Sequence, residues 1–598
     1  MNKLFQFPYN KAATRVRRQL VEAILFEGLV EYKVEQLVNE PPLSSFVFGT
    51  KRKYYCVGRT TAFNRIRLIE NRIFEKLPGS QLREALIEEV LEEVVSDMKT
   101  KERILNELLQ TVRLCEWNES HIVQLRSRRE SSYEELESEI TEGHPYHPCF
   151  KSRTGFTLDD HERYGPEAKQ SFSLKWLAVR RNRVTLSVPE DEVEFWISEL
   201  GMTMWQELLS QLKERNLTFG EYTFLPVHPW QWKAIQHRLL SESIKKSDIL
   251  LLDVGGDRYR STQSVRTLWN ESNPKRAYIK LPMNMVNTSS LRKLEPHSVC
   301  AAPSISAWIE TIIQSDPYLK EEASLTVLKE YAGIMFEGED GNENKEIEGQ
   351  LGVIWRESVH NDLKKDEDAV PFTALMIMEN DGQPFIAPWL KQYNAQKWVE
   401  QLINVSVIPV WHLLVAHGIA VEAHAQNMIL VHKNGWPIRV ILRDFHESVE
   451  FVEEYLEDPS RVPLFATIHK NYKDGPLDQF FWMSSVEALR ELVMDTLFVF
   501  HLSELSFLLE NQNNYREDFF WKQVDQALIK HLELFPHLIE RHQQLQYAND
   551  QIYVESLLKK KVQNKGDESF RHLVNNVFSE FRQKGNEICS ISTTATTQ

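Results

Sequence analysis

Two polar segments flank a predicted β-hairpin, and no other feature of this chain constrains its fold as strongly. Residues 428–432 and 437–442 have the composition of strands, and the Asn-Gly pair between them is typical of a hairpin turn. A hairpin brings the residues before its first strand close to those after its second. We therefore expect Glu422 and Asn427 to converge with Asp444.

Carboxylate and amide oxygens at these three positions suit a magnesium ion. Mg²⁺ takes hard oxygen ligands, and in many enzymes it binds alongside nucleotide phosphates. The predicted metal ligands are therefore Glu422, Asn427 and Asp444, and the first hypothesis is an enzyme that uses ATP. The alternative is that these polar residues simply flank an exposed hairpin.

Composition excludes several classes of protein. The 598 residues are 42% hydrophobic and 26% charged, an ordinary balance for a globular chain long enough for several domains. With 70 basic and 86 acidic residues the net charge is −16, so we expect no general binding of nucleic acid or anionic membranes. A local basic pocket for a small polyanion remains compatible with this charge.

The cysteines and the N-terminal residues indicate a cytoplasmic protein. Five cysteines at low density, with no C-x-x-C pair, argue against a disulfide framework or a zinc ribbon. Residues 1–8 have no sustained apolar run and arginines follow soon, so they do not read as a signal peptide. The most apolar window, 402–416, is interrupted by Asn404, Pro409 and His412, so we expect no membrane span.

Hydrophobic periodicity predicts three regions. Residues 13–118 look mainly helical with a strand-like interlude at 46–57, and the four-residue spacing of apolar side chains predicts a packing helix over 80–98. A mixture of helix-type and strand-type patterns begins near residue 139, and helices are predicted around the hairpin from residue 396 onward.

Several individual elements are also predicted. They are strands at 172–179, 183–188, 222–227 and 278–285, a polar loop at 337–349, a helix at 489–509 and a disordered tail at 593–598.

A dense array of donors follows residue 143. His144, His147, Lys151 and Arg153 lie within ten residues, and prolines rigidify the backbone between them. Such an array suits a carboxylate or a phosphate. A metal site is a weaker interpretation because no further His or Cys cluster of ligand spacing accompanies it. The alternative is a turn with incidental histidines.

A second His-Pro pair occurs in the segment 226–232, which also contains two tryptophans. These tryptophans are more typical of a packed corner than of a pocket wall.

Cations recur on two further segments. Ser264 and Arg266 share one face of an extended strand, whereas Lys280 lies opposite a predicted apolar face that includes Ile279 and Leu281. Together with Arg292, these cations supply the positive charge that a triphosphate requires. The alternative is a solvated strand face.

The hydroxyl-rich segment 288–290 is predicted to cap a following helix and to donate to an anion at its N-terminus. If the strand at Lys280 continues, Asn284 and Thr288 share its polar face, with Met283 and Met285 on the apolar one. The chain has neither a P-loop nor a Rossmann motif.

Two ATP chemistries fit these residues. The spacing of Glu422, His424, Asn427 and Asp444 resembles the catalytic and metal segments of kinase-like small-molecule phosphotransferases. The chain departs from that pattern, because Glu422 stands where an aspartate is expected and no glycine-rich loop precedes a lysine-bearing strand. The cationic array near Lys151 instead suggests a polycarboxylate substrate.

Taken together and in this order, the motifs resemble the IucA/IucC family of NRPS-independent siderophore synthetases, and within it the petrobactin-type synthetases of bacilli. The resemblance extends over about residues 144–447 and is specific because the motifs occur jointly. The motifs are His144-Pro-Tyr-His147-Pro148 with Lys151 and Arg153, Pro226-Val-His-Pro-Trp-Gln, Ser264-Val-Arg-Thr, Lys280 with Asn287-Thr-Ser-Ser-Leu-Arg292, Ile354-Trp-Arg-Glu-Ser, His424-Ala-Gln-Asn427, and Arg443-Asp444-Phe-His-Glu.

This resemblance implies an α+β, cupped-hand fold in three regions. These are a mainly helical thumb (1–138), mixed α/β, β-rich fingers that carry the ATP- and carboxylate-binding motifs (139–375), and a mainly helical, kinase-like palm with the metal- and ATP-binding hairpin (376–598). It also implies the reaction. ATP activates a carboxylate of citrate or of a citrate derivative as an acyl-adenylate with loss of pyrophosphate, and an amine or hydroxyl then displaces AMP.

The resemblance further implies roles for individual residues. Arg292, His424 and Lys280 are the expected catalytic groups, and Glu422, Asn427 and Asp444 the Mg²⁺ ligands. The expected carboxylate-binding residues are His147, Lys151, Arg153, Arg292 and His424. The expected ATP-binding residues are Ser264, Arg266, Thr267, Lys280, Thr288, Ser289, Arg292, His424, Gln426, Asn427 and Asp444.

The sequence leaves the substrates open. The acid is free citrate, a citryl monoamide or 2-oxoglutarate, with citrate or its monoamide favoured, and the amine is unspecified. ATP and Mg²⁺ are the expected cofactors, and a homodimer is expected because homodimers are common in the family. Two alternatives remain at this stage: a kinase-like phosphotransferase, and a module that binds citrate or a siderophore without turnover.

Overall fold

The computed structural model describes residues 10–38, 40, 42–124, 126–338, 342–563 and 570–581. The predicted disordered tail at 593–598 and the middle of the polar loop at 337–349 lie outside the described residues. The architecture combines helices with mainly antiparallel sheets, so the α+β class predicted from the sequence is confirmed.

The thumb region contains an antiparallel five-stranded meander as well as helices. Its strands pair in sequence order, and the sheet packs against the first helix, which the Asn10 side chain caps. The elements are α1 (Lys11–Phe26), β1 (Tyr32–Gln36), β2 (Ser44–Phe48), β3 (Tyr54–Thr60), β4 (Ile66–Lys76), β5 (Leu82–Glu84), α2 (Ile87–Leu91), α3 (Met98–His121) and α4 (Tyr133–Glu139).

The packing helix predicted over residues 80–98 is wrong. Leu82–Glu84 forms β5 and pairs with β4, and only Ile87–Leu91 is helical before α3 begins. Leu82 and Leu86 are exposed. The error has a physical cause: residues four apart share a face in a strand as well as in a helix, so a strict four-residue spacing does not separate the two. The predicted interlude at 46–57 is part of the meander.

The fingers region is built on two sheets, one of seven strands and one of three. From one edge to the other, the larger sheet contains the strands β6 (Phe172–Ser173), β11 (Arg258–Ser261), β12 (Thr267–Asn270), β13 (Tyr278–Lys280), β18 (Gly352–Arg356), β17 (Glu330–Phe336) and β8 (Val184–Ser187), and the smaller sheet contains β10 (Ile249–Leu252), β7 (Lys175–Arg180) and β9 (Tyr222–Val227). Its helices are α5 (Leu158–Tyr164), α6 (Glu192–Glu214, kinked at Gly201), α7 (Pro229–Ile235), α8 (Ser241–Lys245), α9 (Pro296–Ser315) and α10 (Asn342–Ile347). Its other strands are β14 (Val286–Asn287), β15 (Ser290–Leu291), β16 (Thr326–Leu328) and β19 (Asp368–Pro371).

The strand expected at 278–285 is shorter than predicted. It ends at Lys280, and Met283 and Met285 pack with Val265 and Trp230 in a separate small cluster. The predicted apolar face is correct for Ile279 and Leu281, which join the main core of the fingers. Asn284 and Thr288 do not continue the polar face of this strand, because the backbone turns after Lys280.

The palm region contains the hairpin predicted from the sequence. β21 and β22 pair through a turn in which Asn434 and Gly435 have positive φ angles of 51° and 86°. Their sheet has the order β16-β22-β21-β19, so two fingers segments flank the hairpin. The palm elements are α11 (Ala387–Tyr393), α12 (Ala395–His417), β20 (Ile419–Val421), β21 (Met428–Lys433), β22 (Trp436–Arg443), β23 (Val449–Phe451), α13 (Phe465–Ile468), α14 (Val486–Val493), α15 (Ser503–Asn513), α16 (Glu517–Leu534), α17 (Ile539–Leu545), β24 (Gln551–Glu555), α18 (Leu557–Gln563) and β25 (Arg571–Asn575).

Two palm helices are long and apolar enough to cross a membrane by length and composition alone. These are α12 and the continuous helix 486–513, which includes a π-helical stretch at Met494–Leu502. Their apolar windows are 83% and 61% buried inside the protein. Both therefore pack as core helices, and the helix predicted at 489–509 is confirmed.

Thumb and palm share one hydrophobic core, to which α9 of the fingers also contributes, whereas most of the fingers sheets pack around a core of their own. Phe63 of the thumb packs edge-on against Trp521 of the palm at a centroid distance of 4.9 Å. The fingers core instead surrounds Trp196 and Trp355, whose ring centroids lie 5.7 Å apart. The palm therefore completes the hydrophobic core that the thumb begins.

We predict that Leu225→Ala in the fingers core lowers the free energy of unfolding by about 3–5 kcal/mol, because a fully buried side chain leaves a cavity. The matched control is Leu464→Ala, at a leucine that is 76% exposed, which should change stability by less than about 0.5 kcal/mol. Urea unfolding followed by tryptophan fluorescence measures both. Equal midpoints for the two variants would contradict the assignment of Leu225 to the core.

Candidate active site

One face of the seven-stranded sheet carries polar side chains on four neighbouring strands. Thr267 on β12 pairs with Lys280 on β13, and Arg356 on β18 pairs with both Tyr278 and Glu330. Residues two apart on a strand, and residues directly opposite each other, project from the same face. Register therefore places Thr267, Lys280, Arg356 and Glu330 together, although they are scattered along the sequence.

Asp444 connects the palm hairpin to this face. It follows the last residue of β22 and has a positive φ of 69°. Its Oδ1 atom lies 2.9 Å from Lys280 Nζ and 3.2 Å from Arg356 Nη1. Burial alone would raise the pKa of Asp444, but the charges of Lys280 and Arg356 hold it well below its usual value. The carboxylate is therefore ionised at neutral pH.

Glu330 fixes the turn that carries Asp444. This fully buried carboxylate accepts hydrogen bonds from the backbone amides of Phe445 (3.1 Å) and His446 (3.0 Å) through Oε2. Its Oε1 lies 2.8 Å from Nδ1 of His446. Ligand atoms of Glu330, Asp444 and His446 lie within 4.8 Å of one another, so this trio is a second possible cation site. The sequence analysis missed Glu330, because only strand register brings it to the hairpin.

Arg443 anchors the hairpin to the thumb. Its guanidinium donates to Tyr133 Oη (2.7 Å), to Glu137 Oε1 (2.9 Å) and to the backbone carbonyl of Gln426 (2.8 Å). Burial alone would lower the pKa of Arg443, but the Glu137 carboxylate raises it above its usual value. These contacts fix both ends of the hairpin relative to α4.

The loop before the hairpin is held by its own backbone and side chains. The amide nitrogen of Asn427 donates to the carbonyl of Glu422 (3.0 Å), and Ser448 Oγ donates to Glu422 Oε2 (2.6 Å). His424 Nδ1 accepts from the amide of Gln426 at 3.2 Å, and its Nε2 lies 3.7 Å from Glu422 Oε1. Within the described residues, no group donates to Oδ1 of Asn427, so that oxygen is available to a ligand.

A strained turn presents Arg266. Val265 has a φ of 67°, which is unfavourable for a β-branched residue, and it is held there by burial against Trp230 and Met283. Ser264 Oγ donates to Oγ1 of Thr267 at 2.8 Å and accepts from its amide at 3.1 Å.

Arg266 itself is buried and donates to the carbonyl of Lys293. Burial lowers the pKa of Arg266, and the negative charges of Glu447, Asp444 and Glu330 oppose this effect.

Arg292 follows a small hairpin of β14 and β15. Its Nη2 donates to the carbonyl of Asn287 at 2.6 Å, and within the described chain its buried Nε has no partner. Burial and the neighbouring charge of Arg266 lower the pKa of Arg292 to about 9. Such a desolvated pair of like charges favours the binding of an anion.

The helix cap predicted at residues 288–290 is wrong. Thr288, with a φ of 61°, and the exposed Ser289 form the turn between β14 and β15, and α9 begins only at Pro296. Two strand residues pair on each side of the turn, so the segment closes a hairpin instead of entering a helix. The carbonyl of Thr288 accepts from Lys561 Nζ at 2.6 Å.

The two histidines of the His-Pro segment are neutral, with His147 buried and His144 partly buried. Nδ1 of His144 accepts from the amides of Tyr146 (3.1 Å) and His147 (3.0 Å), and burial lowers its pKa to about 3. The charge of His424 lowers it further. Burial also holds the pKa of His147 well below its usual value, and within the described chain its Nε2 has no partner. Both rings interact electrostatically with Arg292, so they lie near the cationic face.

Lys151 and Arg153 have a different environment from the one expected. Both form ion pairs with the fully buried carboxylate of Glu167, and Arg153 does so through two nitrogens at 2.7 and 2.8 Å. These cations hold the pKa of Glu167 well below its usual value. Lys151 and Arg153 are therefore engaged in an internal network and are not free to bind a substrate carboxylate in this structure.

The structure thus brings together most, but not all, of the predicted site residues. The cationic group contains Lys280, Arg266 and Arg292, with Thr267 and Asp444 beside Lys280. Arg356, Glu330 and His446 are additional members that the sequence analysis missed. Arg356 lies in the motif that begins at Ile354. Nothing in that motif indicated that Arg356 would form an ion pair with Asp444.

Comparison with known proteins identifies the family. Residues 132–377 match the family described as IucA / IucC family. The chain is 37% identical over 572 residues to the citryl-spermidine/3,4-dihydroxybenzoyl-citryl-spermidine:spermidine ligase of Bacillus anthracis, covering 93% of this chain and 91% of the relative. This chain belongs to the IucA/IucC family. Residues 396–569 also match a family described as ferric iron reductase FhuF-like transporter.

Solved structures agree with this assignment. The crystal structure of the petrobactin biosynthesis protein AsbB from Bacillus anthracis matches with a TM-score of 0.89 at 36% identity, covering 96% of both chains. The aerobactin synthetase IucC from Klebsiella pneumoniae matches with a TM-score of 0.77 at 21% identity, covering 95% of this chain and 98% of its own, which shows a common fold. The predicted synthetase fold is therefore confirmed.

We predict that Asp444→Asn lowers the free energy of unfolding by about 3–5 kcal/mol, because it leaves Lys280 and Arg356 buried without a carboxylate. Adding Lys280→Met should restore part of the loss, with a coupling of about 0.5–3 kcal/mol in a double-mutant cycle. Urea unfolding at neutral pH measures each step. The matched control is Asp518→Asn, in an exposed pair with Arg516, which should have no measurable effect. Strictly additive effects of the two site changes would show that the pair does not couple.

Proposed function

We propose that this chain is an ATP-dependent siderophore synthetase that joins a carboxylate of citrate or of a citryl monoamide to an amine. The observation that supports this proposal most directly is the group of desolvated cations, Lys280, Arg266 and Arg292, gathered beside the ionised Asp444 in a chain of the IucA/IucC family. The related proteins of Bacillus anthracis and Escherichia coli are named as a spermidine ligase and an aerobactin synthase.

The proposed reaction has two steps. A carboxylate oxygen of the acid attacks the α-phosphorus of ATP, the bond to the β-phosphate oxygen breaks, and pyrophosphate leaves. The neutral amine then attacks the acyl carbon of the adenylate, loses a proton, and releases AMP as the amide forms. Lys280, Arg266 and Arg292 hold the phosphates and neutralise the leaving pyrophosphate. Ser264, Thr267, Thr288, Ser289 and Gln426 complete the proposed ATP contacts.

The donor set near the hairpin fits Mg²⁺. Glu422 and Asn427 supply oxygens on the loop before β21, and both ion pairs of Asp444 use Oδ1, which leaves Oδ2 for a ligand. When bound, the ion would neutralise phosphate oxygens. Both carboxylate oxygens of Glu330 already face His446 or the backbone, so Glu330 fits better as a support for the turn than as a ligand.

Substrate carboxylates are proposed to bind beside the phosphates. His424 is partly exposed and Arg292 has an unpartnered Nε within the described chain, so both have capacity for an anion. His147 is neutral with an unpartnered Nε2, which suits a hydrogen bond to a carboxyl or hydroxyl group. Lys151 and Arg153 are not part of this set, because both form ion pairs with Glu167. Positioning two anions against their mutual repulsion accounts for much of the proposed acceleration.

For the substrates, we propose a citryl monoamide or citrate as the acid and a polyamine-type amine. This rests on the name of the Bacillus anthracis relative, which describes citryl-spermidine and spermidine. We place the enzyme in the cytoplasm, where ATP is available, and the four described cysteines are unpaired as that compartment favours. The homodimer expected from the sequence stays a prediction, for analytical ultracentrifugation to test.

We predict that Arg292→Ala lowers ATP-dependent pyrophosphate release by about 10²–10³-fold, because it removes a charge that stabilises the transition state. Trp230→Phe is the control. Trp230 packs in a small cluster against Phe156 at a centroid distance of 5.2 Å, so this change should mainly lower stability and leave turnover of the folded enzyme near normal. A coupled pyrophosphate assay measures both. Near-normal pyrophosphate release by Arg292→Ala would overturn its assignment.

We predict that pyrophosphate release depends on the acid supplied. The assay contains ATP, Mg²⁺ and hydroxylamine as a surrogate amine, with citrate, citryl-spermidine, 2-oxoglutarate or no acid. Release with citrate or citryl-spermidine, together with AMP and a hydroxamate, would support adenylation and identify the donor. No release with any acid would contradict the synthetase proposal. Formation of ADP instead of AMP would favour the kinase-like alternative, and ligand-induced stabilisation without turnover would favour a binding module.

A further inference from the structure

A further cluster of possible metal ligands, separate from those at the palm hairpin, lies where two long helices end. Asp316 is the C-terminal cap of α9, His412 lies on the last turns of α12, and His417 is the last residue of α12. Within the described chain, no hydrogen bond or ion pair of these residues reaches Lys280, Arg292 or Asp444. The cluster is therefore distinct from the candidate active site.

The three side chains converge through the atoms that bind metals. Nε2 of His412 lies 3.1 Å, and Nε2 of His417 lies 2.9 Å, from the same Oδ2 atom of Asp316. The three ligand atoms all lie within 4.8 Å of one another. Bonds of about 2.0–2.2 Å to one tetrahedral ion would place its ligand atoms about 3.3–3.6 Å apart. The two contacts with Asp316 would therefore lengthen by less than about 0.7 Å to accommodate an ion.

The opposite nitrogen of each histidine also has a partner. Nδ1 of His417 lies 2.6 Å from Glu457 Oε2, and Nδ1 of His412 lies 2.7 Å from His531 Nε2. A metal-bound imidazole usually donates its second N–H to a carboxylate or another acceptor, which fixes the ring. Nε2 of His531 is placed to be the acceptor for that N–H of His412. Both rings are thus oriented with Nε2 towards Asp316.

The surroundings favour a cation. Two helices end here, and the partial negative charge of their last carbonyl groups attracts positive charge. His412 and His417 are nearly fully buried, while Asp316 and Glu457 reach solvent and provide an entry path. Tyr318 and Phe535 pack against the ring of His412 at centroid distances of 4.6 and 4.8 Å and exclude water from that side.

We propose that Asp316, His412 and His417 bind a divalent first-row transition metal ion, with Zn²⁺ as the representative. Two imidazoles and one carboxylate form a ligand set that suits transition metal ions, whereas Mg²⁺ and Ca²⁺ are better suited to oxygen ligands. The ion joins the C-terminal ends of α9 and α12. Because β20 follows α12 directly and leads to Glu422, the ion also fixes the start of the loop that carries His424.

Without an ion, the same contacts need an additional proton. His417 lies between the carboxylates of Asp316 and Glu457, and a neutral ring can donate to only one of them. A doubly protonated His417 would satisfy both. The metal site and the protonated ring differ in one measurable respect. Only the metal site predicts stoichiometric binding of a transition metal.

The test uses the full-length protein after removal of metals with EDTA, titrated with Co²⁺ in excess Mg²⁺ and followed by visible absorption. We expect about one Co²⁺ per chain, with absorption bands typical of nitrogen and oxygen ligation, and displacement by Zn²⁺. His417→Gln should abolish these bands. Glu457→Gln, at a side chain that is 58% exposed, should keep the fold and weaken binding by about 10–100-fold.

Two controls locate the ion. His237→Gln removes an exposed histidine elsewhere on the fingers and should leave binding unchanged, as should Glu422→Gln in the proposed Mg²⁺ site. Circular dichroism reports whether each variant is folded. If His417→Gln does not fold, the Glu457→Gln variant provides the test. Any of three results would overturn the proposal. The bands could be absent in the unmodified protein, or they could persist in folded His417→Gln or at full affinity in Glu457→Gln. They could also be lost in Glu422→Gln.

Discussion

The position of one carboxylate, that of Asp444, links the palm hairpin to the fingers sheet. Its Oδ1 atom lies between Lys280 and Arg356, which project from neighbouring strands of the sheet. A buried cation without a counter-charge costs several kcal/mol, so neither region can hold its charges at low cost without the other. Glu330 adds a second link, because it belongs to the sheet and holds the two amides that follow Asp444. The site and the contact between the regions therefore depend on the same few charges.

The thumb supports this arrangement from the other side. Arg443 contacts Tyr133 and Glu137 of the thumb. Glu504 of the palm accepts from Arg65 and Arg67 at the start of β4. These paired charges lie next to the hydrophobic core that the thumb shares with the palm. A core common to the two ends of the chain means that the thumb is not an appended domain. It also contacts the hairpin directly, through Tyr133 and Glu137.

Sequence analysis succeeded where the signal is local and failed where two local interpretations share a pattern. The hairpin was predictable because Asn434 and Gly435 tolerate the positive φ angles that its turn requires. The helix predicted over 80–98 failed because a four-residue spacing is common to strands and helices, and pairing with β4 decided the outcome. Thr288 and Ser289 have the composition of a helix cap, but residues on both sides of them pair as strands. Lys151 and Arg153 were predicted to bind a substrate, but in the fold both form ion pairs with Glu167, which the local sequence pattern does not reveal.

By itself the sequence determined the fold class, the family and the hairpin, because ordered motifs and short-range turn chemistry are written in consecutive residues. It also singled out Lys280, Arg266, Arg292 and Asp444, which the structure gathers in one group of charges. Tertiary structure alone decided which charges face the site and which neutralise one another. Glu330 and Arg356 joined the site, while Lys151 and Arg153 left it. The physical reason is that strand register and burial bring together residues distant in sequence, and a charge in a buried environment is defined by its partner. The same holds for Asp316, His412 and His417, whose convergence follows from where two helices end.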